Sequence, residues 1–161
     1  MLLERLHSTL MEGLFELRHV ETVTHTPQRK DTITLPAIML DMVELEPAKD
    51  SGTGELTLLS HWEARVVTLE KDNLFIHLNI VQSLMLWLFN FAWPNINIGR
   101  PKLKQAAPDH FNPELQGHRV WLVEWVQEIR VGDNIWRNDG SITPTRITVS
   151  YGENNFEEIL S

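Results

Sequence analysis

The chain has 161 residues and a mass of 18.7 kDa, the size of one ordinary domain that can bury a core without covalent staples. Hydrophobic residues make up 42% and charged residues 22%, which excludes wholesale disorder and a composition built for the bilayer. There is no cysteine, so disulfide scaffolds, thiolate zinc sites, iron–sulfur clusters and cysteine nucleophiles are excluded, and a net charge of −8 repels phosphate backbones unless the fourteen cations share one face.

The first residues, Met1-Leu2-Leu3-Glu4-Arg5, do not place a basic region before a long apolar run, so no secretory signal is expected and the cytoplasm is the default location. Leu3, Leu6, Leu10, Leu14 and Leu17 recur at spacings of three and four with charged residues between them, which predicts an amphipathic helix. From His19 to Leu35 no period is sustained, and the segment reads as a long connection with a short edge strand near Val20 to Val23. Ala37 to Leu45 and the alternating run Glu55 to Leu69 flank a stretch containing Pro47, Asp50, Gly52 and Gly54. They predict a long antiparallel hairpin with its tip at Lys49 to Gly54.

Asp72 is a plausible N-cap for a central helix that runs from Asn73 to Trp93, where Pro94 stops it. Asn79, Gln82, Ser83 and Asn90 form only a thin polar stripe on it, so its apolar surface exceeds what one sheet face can cover and predicts contact with a partner subunit. Those polar residues and His77 argue against a membrane span. Lys102 to Ala107 reads as a short strand. Arg119 to Val131 is the clearest strand in the chain, with Trp121, Val123, Trp125, Ile129 and Val131 on one face. A last strand within Ile142 to Tyr151 and a loose acidic end are expected beyond Asn138-Asp139-Gly140.

Catalytic signals are weak. Gly52-Thr53-Gly54 precedes a strand, not a helix, so it reads as a turn and not as a phosphate cradle. The seven histidines are scattered without metal-ligand spacing, so neither a metal nor a cofactor is expected. Ser60 and His61 are adjacent in a strand and point to opposite faces, so they cannot serve each other as nucleophile and base. Asp109, His110 and Glu114 lie in a proline-bounded loop and leave open an acid–base pair in a small hydrolase or ligand-binding enzyme. The six tryptophans are read as core or protein-contact residues, because local carboxylates outnumber the arginines that base stacking would need.

Several strings occur in a suggestive order: Leu35-Pro36-Ala37, Val43-Glu44-Leu45-Glu46-Pro47, Gly52-Thr53-Gly54-Glu55-Leu56 and Trp62-Glu63-Ala64-Arg65-Val66-Val67. After the long apolar helix come Pro113-Glu114-Leu115 with Gly117, and then Val120 to Gly132. In this order the chain resembles the small tail terminator, or tail completion, proteins of tailed phages and prophages, those of Mu-like contractile tails in particular. The resemblance runs from about Met1 to Trp136, so residues 137–161 are either part of the same domain or appended to it.

The resemblance implies an α+β fold: a mainly antiparallel sheet with a long hairpin, and the N-terminal and central helices packed on it. It implies a structural role, not an enzymatic one, as a homo-hexameric ring in the virion tail and neck. That ring would end tail-tube growth, touch tube and possibly sheath, meet the head–tail connector, and let DNA pass its lumen without sequence-specific binding. The expected interface residues are Lys49, Asp50, Gly52, Gly54 and Glu55 at the hairpin tip, with Asn79, Gln82, Trp87 and Asn90 on the central helix. A subunit of another contractile assembly is the related alternative.

Overall fold

The computed structural model describes residues 1–25, 33–110 and 117–136, together with the backbone of two strands at 147–151 and 155–159. Its elements in chain order are helix α1 (Leu2–Phe15), strands β1 (Thr22–Thr24), β2 (Ala37–Pro47) and β3 (Leu56–Leu69), and helix α2 (Leu74–Asn90). Strands β4 (Lys102–Pro108), β5 (His118–Val131), β6 (Ile147–Tyr151) and β7 (Asn155–Ile159) follow. The class is α+β.

Five strands form one sheet in the order β1-β2-β3-β5-β4, antiparallel except for the β1–β2 pair, while β6 and β7 pair as a separate two-stranded sheet. The short edge strand therefore lies slightly later than the sequence suggests, and it runs parallel to β2. The acidic C-terminus, expected as a loose end, supplies a second strand whose backbone pairs with β6. Glu114 and the Asn138-Asp139-Gly140 turn lie outside the described residues.

Strand periodicity sorts residues onto two faces. The inner face carries Ile38 and Leu40 from β2, Trp62, Ala64 and Val66 from β3, and Val123, Trp125 and Ile129 from β5. It buries them against Leu6, Leu10 and Leu14 of α1 and Ile80, Val81, Leu84 and Leu88 of α2. At its centre Trp62 and Trp125 stack with centroids 6.3 Å apart. The Trp62 indole N–H donates to Ser60 Oγ at 2.9 Å, and that hydroxyl donates to the Gln127 carbonyl at 2.7 Å, so these two buried groups have partners, whereas the indole N–H of the stacked Trp125 has none.

Helix α2 begins and ends differently from the sequence expectation. Asn73, not Asp72, is the cap: its Oδ1 accepts from Phe75 N at 2.9 Å. Arg119 instead draws the backbone before the helix inward, donating to the carbonyls of Asp72 and Glu70 at 3.1 and 2.9 Å. The helix stops at Asn90, short of Pro94, with Phe91 extended at φ −63°, ψ 130°. Two causes act together. Proline disfavours a helical conformation at Trp93 before it, and the rings of Trp87, Phe91 and Trp93 gather within 4.8–6.1 Å and turn the chain aside.

Candidate functional site

The loop between β2 and β3 is a built turn. Asp50 Oδ1 accepts from Gly52 N at 2.8 Å, and the Ser51 and Thr53 hydroxyls share a 2.7 Å hydrogen bond. Gly52 and Gly54 both hold left-handed backbone, φ 71° and 81°, which a side chain adopts only under strain. The segment after β5 closes over this turn: Ile135 N donates to the Thr53 carbonyl and Trp136 Nε1 to the Gly52 carbonyl, each at 2.9 Å. Lys49, Asp50, Gly52 and Gly54 are exposed. Glu55 is not. It is 4% exposed, and neither carboxylate oxygen has a hydrogen-bond partner. The expectation that it serves as an exposed tip residue is corrected, because position 55 is where the chain turns under Gly132 to enter β3.

On α2, Asn79, Gln82 and Asn90 are exposed, and so are large apolar residues of the same flank: Phe75 at 71%, Leu86 at 55% and Phe89 at 71%. Between α2, β4 and Trp121 runs an apolar trough of about 530 Å³, lined by Leu78, Met85, Leu86, Phe89, Leu103 and Ala106 among others. Trp87 is half-buried: its indole lies over Gly13 of α1, where a β-carbon would come 1.9 Å from Cζ2, so this ring joins the two helices, and it also lines a surface hollow with Leu86 and Asn90.

The outer face of the sheet carries an acidic row. Asp41, Glu63 and Glu124 stand directly opposite one another on β2, β3 and β5, and Gln105 of β4 ends the row with a hydrogen bond to Glu124. Like charges in register repel, and Arg65 one row away offsets them. Its Nε donates to Asp109 Oδ2 at 3.0 Å and its Nη2 to Glu63 Oε2 at 2.9 Å, with Asp41 at 3.8 Å. Burial opposes the Arg65 charge, but Asp109 and Glu63 outweigh it and raise the guanidinium pKa above its ordinary value. A few strand positions away, His61 Nε2 lies 3.0 Å from Glu46 Oε2. The row was not visible in the sequence because it depends on the register between distant strands.

The proposed acid–base loop fares differently. Asp109 is held in the Arg65 ion pair with its side chain 9% exposed, while His110 is exposed. A hydroxyl–histidine pair does exist, Thr68 Oγ1 with His77 Nδ1 at 2.8 Å, but both residues are buried, His77 completely. Burial first, and Arg119 second, push the His77 pKa down to about 4. At the open end of α1, His7 stacks on His25 with centroids 4.8 Å apart beside a cavity of about 520 Å³ that Asp41 and Met42 also line. Burial and then the neighbouring His25 lower the His7 pKa. Among the described residues no three histidine, aspartate or glutamate side chains are grouped to hold a metal ion, and no helix is long and apolar enough to cross a membrane.

No protein-family model matches the chain, and no match is found among curated proteins.

Proposed function

We propose that this protein is a structural subunit that assembles with copies of itself into a ring, a hexamer, that caps a phage tail tube and presents its other side to the head connector. The observation that carries the reading is the flank of α2: Phe75, Leu86 and Phe89 stand in solvent on a helix whose opposite side already fills the core. Apolar surface of this kind, which at Leu86 and Phe89 runs on into the trough beside β4, marks a contact with another protein. The acidic row on the outer face agrees with a ring around DNA, since carboxylates repel phosphate and let a duplex slide without sticking. The exposed tip residues Lys49, Asp50, Gly52 and Gly54 sit on a turn pinned by Trp136, a rigid projection suited to docking on a tube end.

Light scattering or native mass spectrometry across a concentration series, with and without purified tail tubes, tests the reading. A hexamer, or tube ends capped by rings in electron micrographs, is the expected result. A chain that stays monomeric at every concentration and ignores tubes overturns it.

A further inference from the structure

The five-stranded sheet is unfinished on both sides. β1 pairs with β2 only at Ala37, Ile38 and Met39, and His25 Nδ1 lies 3.2 Å from the Leu40 carbonyl. Along residues 41–47 no described strand covers that edge of β2. On the opposite side β4 pairs with β5 alone. The uncovered part of β2 has the seven-residue length of β4. Each edge is a row of backbone donors and acceptors open to another strand.

The side chains on these two edges are complementary. Strand alternation puts Glu44 and Glu46 of β2 on the outer face, opposite His61 and Leu59, and Met42 and Leu45 on the inner face, opposite Trp62 and Ser60. All four are exposed, Met42 at 37% and Leu45 at 41%. On β4, Lys102 lies on the outer face opposite Val126, and Lys104 occupies the bulge between Leu103 and Gln105. Leu103 and Ala106 lie on the inner face, where they line the apolar trough beside α2. Residues 41–47 carry Asp41, Glu44 and Glu46 and no lysine or arginine, whereas residues 100–108 carry Arg100, Lys102 and Lys104 and no carboxylate.

We propose that residues 41–47 of one copy pair antiparallel with β4 of the next, so that the sheet continues from subunit to subunit. This rests on the self-assembly half of the reading above and names its contact. β2 and β5 run one way and β3 and β4 the other, so an antiparallel junction preserves the alternation and keeps the inner faces of both copies on the same side. Each strand carries one bulge, between Met42 and Glu44 and between Leu103 and Gln105. With both bulges accommodated, Lys102 stands opposite Glu46, Leu103 opposite Leu45, and Ala106 opposite Met42. Met42 and Leu45 thereby extend the apolar floor that Leu86 and Phe89 overlook, and the outer carboxylates meet the lysines. A second copy is the occupant because each edge finds its match in length, charge and apolar face on the other edge, and β3 and β5 stand between the two within one chain. Unlike surfaces meet, so the contact is head-to-tail and closes as a ring. Edge lysines and bulges discourage indiscriminate pairing, and against an acidic edge the same lysines select the partner.

The absence of cysteine makes the test clean. Full-length Glu46→Cys and Lys102→Cys chains, each altered at an exposed position, are prepared separately, mixed, and treated with a short bis-maleimide. The expected product is a linked species of twice the 18.7 kDa chain mass in the mixture and in neither variant alone. A chain carrying both substitutions should give a ladder of higher multiples. Linkage within either single variant, or none in the mixture, overturns the proposal. Independently, Lys102→Glu with Lys104→Glu weakens self-association by about tenfold, the effect of a few cross-strand charge pairs, and Glu44→Lys with Glu46→Lys in the same chain restores it. If wild-type oligomers form and neither the linkage nor the charge swap bears on them, the edge contact is wrong while self-assembly stands. If no oligomer forms at all, both fail.

Discussion

The two helices occupy the same side of the sheet and treat their apolar residues in opposite ways. In α1 the buried stripe Leu6, Leu10 and Leu14 is matched by exposed Glu4, Arg5, Ser8 and Glu12, and only Phe15 among its larger apolar residues stands well out at 58%. In α2 the buried stripe His77, Ile80, Val81, Leu84 and Leu88 is backed by Phe75, Leu86 and Phe89 in water. The first helix is finished by the fold of one chain. The second has hydrophobic surface left over, the surface on which the proposed self-assembly rests.

Substitutions can separate those two uses of α2. The largest effects belong to the inward stripes: Leu10→Ala and Leu84→Ala should each lower unfolding free energy by about 3 kcal/mol, the usual loss for a leucine cavity in a closed core, measured by urea titration. Next comes acid sensitivity through His77. Its folded pKa of about 4 lies below the ordinary 6.5, so the unfolded chain binds the proton more readily. The associated stability is fully present above pH 6.5 and is lost as pH falls toward 4, by up to about 3 kcal/mol. A His77→Leu chain should show a shallower decline than wild type over that window, and equal slopes would refute the assignment.

A smaller effect is expected where the helices meet. Gly13→Ala improves helix propensity but drives a methyl into the Trp87 ring, and overpacking of that kind costs about 2 kcal/mol. A variant as stable as wild type would show that Trp87 can leave its seat. The smallest effect on stability is reserved for the outward flank. Phe75→Ser with Phe89→Ser should move the urea midpoint little, within about 0.5 kcal/mol, while abolishing self-association on a sizing column. Loss of fold in that variant would mean the flank serves the monomer, and the contrast between the helices would collapse.

How much of this was legible depends on whether the signal is local. The leucine spacing of α1 and the alternation across β3 and β5 are properties of neighbouring residues, and the α+β class follows from them. The placement of Trp62 and Trp125 on the inner face follows from the same alternation. Register is not local. The Asp41–Glu63–Glu124 row, the arginine that offsets it and the parallel partner of β1 become visible only when strands tens of residues apart are laid side by side. Single positions also escaped for steric reasons. Glu55 is buried because the turn folds under Gly132, and Trp87 is occupied because α1 offers it a glycine. Of the expected site residues, those on the β2–β3 turn other than Glu55 and the polar residues of α2 are exposed, yet they lie on two separate elements.

The connectivity of the large sheet also governs how the molecule comes into being. β2 and β3 are joined by a short loop and can pair early, but β3 next pairs with β5, whose partners run from Leu69 with His118 to Leu56 with Val131, 49 to 75 residues away. Closing such loops is slow, and sheets dominated by distant pairings typically fold in milliseconds to seconds. Throughout that interval α2, twelve of whose seventeen residues are apolar, lacks the β4 and β5 part of the floor it will rest on. The nascent chain is therefore most vulnerable to aggregation after α2 has been synthesised and before β5 arrives, and slower synthesis across residues 91–117 should lengthen that exposure.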